Sequence, residues 1–204
     1  MKTSRTVLFF ADGGSQHSEK WISAQKNNGD NCYWISLHRR ACPAPDGIEY
    51  HEFSKGLIIV RFLRAILFGR TLAKKRQVNL CHGHYIGIYG LAAWFIPMTL
   101  ILTAWGTDVL ISSKSIWKRV LIKLIIRKAK IITHDGGHVE SKLYELGATK
   151  SQLRFVNFGV DCKYFNEHEL PALPEYFESV GRFELSHELS EFLVGAEFVV
   201  LSNR

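Results

Sequence analysis

The stretch Thr6-Val-Leu-Phe-Phe-Ala-Asp-Gly-Gly-Ser15 decides the fold. It opens with an apolar run typical of a buried β-strand and ends in a glycine turn directly before a helical segment at 15–28. Glycines let the backbone approach a ligand, and free N–H groups at a helix start favour an anion, so Gly13 and Gly14 are candidate substrate-binding residues. The alternative is a tight turn in which Ser15 caps the helix.

The same alternation of apolar runs and helical segments continues along the chain. It predicts an α/β fold, a Rossmann-like doubly wound parallel sheet whose ligands lie at the carboxyl ends of the strands. Gly29 and Gly147 fit the left-handed position that follows a helix. We expect strands at 6–11, 32–37, 48–53, 78–82, 99–104, 130–134 and 153–158, and further helices at 57–76, 86–95, 116–128 and 137–146.

The composition of the sequence changes near residue 165. We expect the Rossmann-like domain to span 1–165 and an acidic, proline-broken linker to span 166–196. Residues 197–204 have the pattern of a buried strand, and a parallel strand needs a crossover and a partner after it. The chain is therefore expected to stop just as a second domain begins.

Composition excludes several classes of protein. Hydrophobic residues make up 47% and charged residues 22%, which excludes a disordered or collagen-like chain. The four cysteines have no tight spacing, so neither a disulfide framework nor a zinc ribbon is expected and a cytoplasmic protein is the simplest interpretation. The longest apolar run, 91–105, contains Pro97 and is too short to cross a membrane.

Positive charge is concentrated in one part of the chain. Residues 55–130 hold fourteen Lys or Arg against one acid, Asp108. Such a basic surface favours an anionic partner, and phospholipid, nucleic acid and phosphorylated substrates all qualify. A nucleic-acid-binding protein is the less favoured of these, because no helix-turn-helix, zinc-finger or single-strand-binding pattern is present.

The predicted helix at 116–128 carries part of this charge. Two interpretations stay open: a helix that covers the sheet with a solvated basic face, or a helix that docks on anionic lipid. In the second interpretation its candidate membrane-contacting residues are Lys118, Arg119, Lys123 and Arg127.

Histidines occur at several predicted strand ends. His82 and His84 project to one side of a strand, which makes a metal pair conceivable, but no third ligand lies nearby and we predict no metal site. His17, in the first turn after the glycines, is a candidate substrate contact or a solvent-facing helix residue. His134 and Asp135 lie at a strand-to-helix junction, where a role in lining a cleft or capping the helix is expected.

Three segments together resemble the bacterial family 4 glycosyltransferases, in the family's order. Gly13-Gly-Ser-Gln-His-Ser-Glu-Lys-Trp21 is similar to the family's opening, and Leu146-Gly-Ala148 with Phe158-Gly-Val-Asp161 and Tyr164-Phe165 is similar to the end of its N-terminal domain. The most specific segment is His82-Gly-His-Tyr85, followed by Gly87, Gly90 and Thr103-Ala-Trp-Gly-Thr-Asp-Val-Leu110.

The resemblance implies the N-terminal half of a GT-B glycosyltransferase. In that family the N-terminal half holds the acceptor, and the other half holds the nucleotide sugar. The implied reaction transfers a hexosyl unit, with retention of configuration, to a glycan or lipid-linked acceptor in bacterial surface polysaccharide or lipopolysaccharide synthesis. It needs no metal or cofactor, since the nucleotide sugar is a co-substrate. We expect the isolated chain to be inactive, and a cytoplasmic location with peripheral attachment at the inner face of the membrane.

Position in the chain and the resemblance together suggest roles for individual residues. Asp108, at a strand end, is the candidate catalytic residue, because a carboxylate there can orient the acceptor hydroxyl or act as its base; the alternative is a helix cap. Many family members carry a histidine where this chain has Trp105, and Gly136-Gly137 departs from the small polar residue that usually follows Asp135. The candidate substrate-binding residues are Gly13, Gly14, His17, His84, Trp105, Gly106, Thr107 and Asp135.

One rival to an enzyme half is a non-catalytic or split-enzyme subunit. Such a subunit would bind the acceptor or the membrane while the donor-binding domain lies on another chain. The nucleotide sequence downstream of Arg204 would separate the two, because a continuing reading frame indicates the enzyme half.

Overall fold

The computed structural model describes residues 4–157, which form a seven-stranded parallel sheet. Its strand order is β3-β2-β1-β4-β5-β6-β7. The strands are β1 Thr6–Phe10, β2 Asn31–Ser36, β3 Glu49–Glu52, β4 Leu80–His84, β5 Thr99–Thr103, β6 Ile131–His134 and β7 Leu153–Phe155. The helices are α1 Gln16–Asn27, α2 Ile58–Lys75, α3 Ile88–Trp94, α4 Thr107–Leu110, α5 Ile116–Lys128 and α6 Gly137–Glu145.

The predicted fold class is confirmed, with every predicted strand and helix of the described region present. The fourth strand runs two residues further than expected and includes His84. The sequence did not predict α4 or the single 3₁₀ turn at Ser112–Lys114, because a helix of four residues is too short to show a 3.6-residue period.

Helices cover both faces of the sheet, as a doubly wound fold requires. On one face Ile22 of α1 packs with Phe9 of β1 and Trp34 of β2. On the other face α2, α3, α5 and α6 contribute to a larger core that includes Phe10 and Leu102. The chain moves one way along the sheet from β1 to β3 and the other way from β4 to β7, so right-handed crossovers place the two sets of helices on opposite faces.

Two glycines end helices as the sequence predicts. Gly29 and Gly147 have φ angles of 91° and 96°, in the left-handed region that favours glycine. Their amide groups donate to carbonyl groups in the last turns of α1 and α6.

Several expectations fall on other parts of the chain. The motif around Gly159–Asp161, the domain end at 165, the linker at 166–196 and the strand at 197–204 lie outside the described residues and stay predictions. Within the described part, no helix has the length and apolarity to cross a membrane.

Candidate functional site at the carboxyl edge of the sheet

The order of the strands places a crevice at the carboxyl ends of β1 and β4. These two strands are neighbours, and the chain leaves them in opposite directions along the sheet. Loops that follow such a pair diverge to opposite faces, which leaves a gap where ligands bind in open α/β sheets. Gly13, Gly14, His84 and the start of α1 lie at this point.

The glycine turn after β1 is held by short contacts. The Gly13 amide donates to Ser36 Oγ at 2.8 Å, and the Gly14 amide donates to the Asp12 carboxylate at 2.8 Å. A Cβ atom at Gly13 would lie 2.3 Å from the Tyr50 hydroxyl, so packing against β3 alone requires glycine there. Ser15 accepts from the Ser18 amide, which confirms the predicted helix cap.

Three predicted substrate-binding side chains meet at this edge. The ring of His17, on the exposed first turn of α1, stacks on Trp105 with centroids 5.1 Å apart and a 32° tilt. The ring centroid of His84, which is buried, lies 5.9 Å from that of Trp105. Residues from α1, β4 and the loop after β5 therefore form one aromatic group, which we call the ring platform.

His84 is the buried polar member of the ring platform. Both of its ring nitrogens lack a hydrogen-bond partner among the described residues. Burial and the neighbouring His82 lower the pKa of His84 well below its usual 6.5, so the ring is neutral at physiological pH. A neutral imidazole has one donor and one acceptor, and leaving both unpaired in the interior is costly. A ligand or water with both functions would satisfy them.

His82 lies on the same face of β4 as His84, and one of its ring nitrogens has a hydrogen-bond partner. Its Nε2 is 2.8 Å from Thr103 Oγ1, which in turn is 2.9 Å from Thr133 Oγ1 on β6. Burial lowers the pKa of His82 to about 3, so this polar chain across three strands is uncharged. Within residues 4–157, no three His, Cys, Asp or Glu side chains are grouped so that they could hold a metal ion.

The sequence predicts that the Asp108 carboxylate points into the cleft. In the structure Asp108 is instead completely buried. Its carboxylate accepts from the amides of Ile86 at 2.7 Å and of Trp105 and Val109 at 3.1 Å. These bonds join the loop after β4 to the loop after β5 and fix the start of α4. Asp108 lies in the first turn of α4, whose N-cap position is Gly106, so its carboxylate links two loops and does not cap a helix that begins after it. Direct catalysis by Asp108 stays a prediction.

The remaining predicted residues surround this clamp. Gly106 has a φ of 92°, which lets the chain turn sharply enough for Asp108 to reach back to the Trp105 amide. Thr107 and Asp135 are exposed, at the start of α4 and the end of β6. Among the described residues, no hydrogen bond or ion pair joins Asp135 to the ring platform.

Sequence reasoning missed a second polar group beside the glycine turn. His38 Nδ1 lies 2.7 Å from the Tyr89 hydroxyl and 3.2 Å from Asp12 Oδ2. The Arg40 guanidinium donates to the Gly13 carbonyl at 3.0 Å and to Glu19 at 2.8 Å. His38 lies two residues after the end of β2, so the rule that selected other residues near strand ends could have found it. Tyr89, inside α3, gives no such signal.

The helix with the predicted membrane residues exposes apolar side chains beside its basic ones. Lys118, Arg119 and Arg127 are exposed and Lys123 is half-buried. The sheet side of α5 is formed by Ile122, Ile125 and Ile126, and Trp117 is left 82% exposed. Val120 and Leu124 are exposed as well, which gives α5 a mixed apolar and basic outer surface.

Comparison with known families agrees with this geometry. Residues 6–135 match the model of the Glycosyl transferase 4-like family. The chain belongs to this family. The match includes β1 to β6, the glycine turn and the whole ring platform. No curated protein sequence matches the chain.

Solved structures show the same fold at low sequence identity. A glycosyltransferase from Rickettsia africae superposes with a TM-score of 0.64 at 16% identity, over 88% of this chain and 50% of that one. Sucrose-phosphate synthase from Thermosynechococcus elongatus gives 0.62 at 11%, over 87% and 52%. Anabaena HepE in complex with UDP and glucose gives 0.59 at 11%, over 87% and 50%. The chain spans about half the length of these proteins, which agrees with one half of a GT-B glycosyltransferase.

Proposed function

We propose that this chain is the acceptor-binding half of a retaining glycosyltransferase. The whole enzyme transfers a hexosyl unit from a nucleotide sugar to a glycan or lipid-linked acceptor in bacterial surface polysaccharide or lipopolysaccharide synthesis. The donor-binding half completes the site, and this chain alone transfers little sugar. Membership of the family and a length about half that of its structural relatives support this division of labour.

The ring platform is the observation that carries the proposal. Small-ligand sites combine apolar and aromatic surfaces with a few polar groups that fix orientation. Trp105 and His17 supply the flat surface, and His84, whose buried ring nitrogens are unpaired, is the polar group next to it. A sugar ring has apolar C–H faces and hydroxyl groups that both donate and accept, so it matches this combination.

Asp108 has a positioning role in this proposal. Its three hydrogen bonds hold the Trp105 backbone against the loop after β4, which keeps the rings of Trp105 and His84 in contact. The protein acts in the cytoplasm, at the inner face of the membrane, where α5 meets anionic lipid through its basic and apolar residues.

Glycan binding by the 204-residue chain tests the proposal without a donor. The chain is applied to an array of bacterial oligosaccharides, and binding to at least one class is expected. Trp105→Ala should remove this binding by deleting the ring surface, whereas Trp105→Phe should retain most of it. The matched control is Trp117→Ala, which removes a tryptophan from α5, outside the ring platform, and should leave glycan binding unchanged.

Two results would contradict the proposal. The first is the absence of any glycan bound by the folded chain. The second is an equal loss in Trp105→Ala and Trp117→Ala, which would place the binding outside the crevice. Melting curves of each variant separate lost binding from lost structure.

A further inference from the structure

A cavity of about 570 Å³ opens beside the crevice, at the carboxyl ends of β2 and β3. A second, of about 220 Å³, continues it along the first turns of α2. The two share the residues Glu52, Ser54, Lys55 and Arg61. The larger one is also lined by His38 and Arg39, and the smaller one by Arg64. We call this joined space the basic cavity.

Cations dominate the basic cavity. Its single acid, Glu52, already accepts hydrogen bonds from the Ser54 hydroxyl and the Arg40 amide, which lower its pKa. None of the ion pairs among residues 4–157 joins Glu52 to Lys55, Arg61 or Arg64. The positive charge of the cavity is therefore available to a ligand.

Arg61 points to the kind of ligand. One arm of its guanidinium donates to the Leu37 carbonyl at 2.7 Å, which fixes the side chain at the wall of the cavity. The Nε–H group of Arg61 is buried and has no partner among the described residues. Guanidinium groups bind phosphate through two or more N–H groups, and an unpaired buried donor is costly, so a phosphate oxygen would satisfy it.

The surface next to the basic cavity is apolar. Leu57 and Ile59, where α2 begins, are 77% and 70% exposed. Ile58, Val60, Leu63 and Leu67 are exposed too. Ile59, Val60, Leu63 and Leu67 share one side of α2 at helical spacing, and we call these four residues the aliphatic stripe. A contiguous exposed aliphatic surface of this kind is typical of a protein or membrane interaction site.

We propose that the basic cavity and the aliphatic stripe bind one partner, an anionic phospholipid membrane. A headgroup phosphate enters the cavity against Arg61 and Lys55, and the stripe contacts the acyl chains. Charge complementarity favours lipid over an apolar protein surface, because four cations lie within reach of the stripe: Arg39, Lys55, Arg61 and Arg64. Apolar insertion combined with basic residues is the combination that holds amphipathic helices at membrane surfaces.

This proposal deepens the membrane contact in the proposed function and assigns it to α2 as well as α5. Both helices pack on the same face of the sheet, joined by the core they share with α3. A membrane on that side would hold the crevice next to the headgroup layer, where the hydroxyl groups of a lipid-linked acceptor lie.

Vesicle co-sedimentation of the full chain tests this site. The wild type should bind vesicles of phosphatidylcholine with phosphatidylglycerol and leave vesicles of phosphatidylcholine alone unbound. Lys55→Gln with Arg64→Gln should weaken partitioning about thirty-fold, since each basic residue near the surface contributes about 1 kcal/mol. Ile59→Gln with Leu63→Gln should remove binding, and melting temperatures should hardly change because all four side chains are exposed.

The matched control changes the same amount of charge elsewhere. Lys20→Gln with Lys150→Gln removes two exposed lysines, one on α1 on the opposite face of the sheet and one in the loop before β7. This control should retain vesicle binding within about two-fold. An equal loss in the control and in the Lys55 and Arg64 variant would overturn the proposal, because net charge alone would then explain the binding.

Two other outcomes separate this site from its alternatives. If glycerol 3-phosphate binds the wild type in solution and the Ile59 and Leu63 variant still sediments with vesicles, the cavity takes a soluble phosphate and the lipid proposal is wrong. If only the α5 variant with Gln at 118, 119, 123 and 127 loses vesicle binding, the α2 site fails and the proposed function stands. Glycan binding is independent of all these results.

Discussion

Asp108 is a carboxyl group without contact with solvent, and burial raises its pKa from 3.8 to about 6. The folded protein therefore holds this proton more tightly than the unfolded chain does. Its contribution to stability is fully present below the unfolded pKa and is lost as the pH rises through about 6. A gap of roughly two units corresponds to about 3 kcal/mol.

Asp108→Asn should reveal this dependence, because the amide has no titration. The unfolding free energy of the wild type minus that of the variant should fall as the pH rises from about 4 to 6.5. Above pH 6.5 this difference should stay constant. Urea unfolding at several pH values measures it. A difference that grows with pH would mean that the three amide donors, and not burial, decide the pKa.

His84 gives a second test at the scale of one residue. Replacing a buried polar group that lacks partners by an apolar one of similar size removes an unsatisfied donor and acceptor. His84→Leu should therefore raise the unfolding free energy by about 1 kcal/mol and at the same time abolish the glycan binding of the ring platform. A less stable variant would show that ring contacts with Phe9 and Trp21 outweigh the unpaired nitrogens.

Individual site residues were predictable only where they lie at or just after the end of a predicted strand. His84 ends a strand and His17 and Trp105 come after strands, and the rule for parallel sheets brings such residues to one edge. The burial of Asp108 was not predictable, because two of its donors, the Ile86 and Trp105 amides, lie in different loops that only the folded chain brings together. The same holds for the contact between His38 and Tyr89, residues 51 positions apart.

Among the elements, α3 packs unusually close to β4. A Cβ atom at Gly83 would lie 2.9 Å from the Gly90 Cα atom and 3.2 Å from the Ala93 Cβ atom. Gly83→Ala should therefore push the helix from the sheet and lower the unfolding free energy by about 2 kcal/mol, as overpacked cores do.

Gly137→Ala is the matched control for this packing. Nothing lies within 4 Å of an added Cβ atom at Gly137, which begins α6, so the substitution should be neutral or slightly stabilising. Urea midpoints with unchanged slopes measure both variants. Similar midpoints for the two would show that the close approach of α3 contributes nothing to stability.

The outer surface of α5 carries the next prediction. Replacing Lys118, Arg119, Lys123 and Arg127 with Gln should abolish salt-sensitive binding to phosphatidylglycerol vesicles, because the attraction between exposed charges decays over about 8 Å at physiological ionic strength. Co-sedimentation at low and high salt measures the effect. Unchanged sedimentation would assign these four residues to a solvated face.

The helices themselves show where pattern-based prediction ends. The existence and bounds of α2 and α5 follow from their long apolar periodicity, but their outer surfaces do not. The sheet side of α5 is formed by Ile122, Ile125 and Ile126, which leaves Trp117 in solvent. A helix with apolar residues on most of its circumference does not reveal which of them the sheet will cover.

For the whole molecule, strand order is the property that creates both proposed binding regions. The reversal between β1 and β4 opens the crevice with the ring platform, and the edge position of β3 leaves the basic cavity open beside α2. Alternation of strands and helices predicts the parallel sheet and the edge at which ligands lie, but only the family resemblance indicates which kind of ligand the crevice takes. The basic cavity followed from neither, since its cations come from three separate segments.

The last prediction concerns the division of the enzyme into two halves. In the family resemblance the nucleotide sugar belongs to the other half, so calorimetry of this chain with UDP- and GDP-sugars should show no micromolar binding. Micromolar affinity for one sugar nucleotide would overturn the assignment. The basic cavity requires a control, because its cations could attract any diphosphate: the panel includes inorganic diphosphate and the variant Lys55→Gln with Arg64→Gln. A weak calorimetric signal that inorganic diphosphate also produces, and that the Lys55 and Arg64 variant lacks, comes from the basic cavity. Binding that requires the sugar and persists in this variant would mean that the donor site lies in this half.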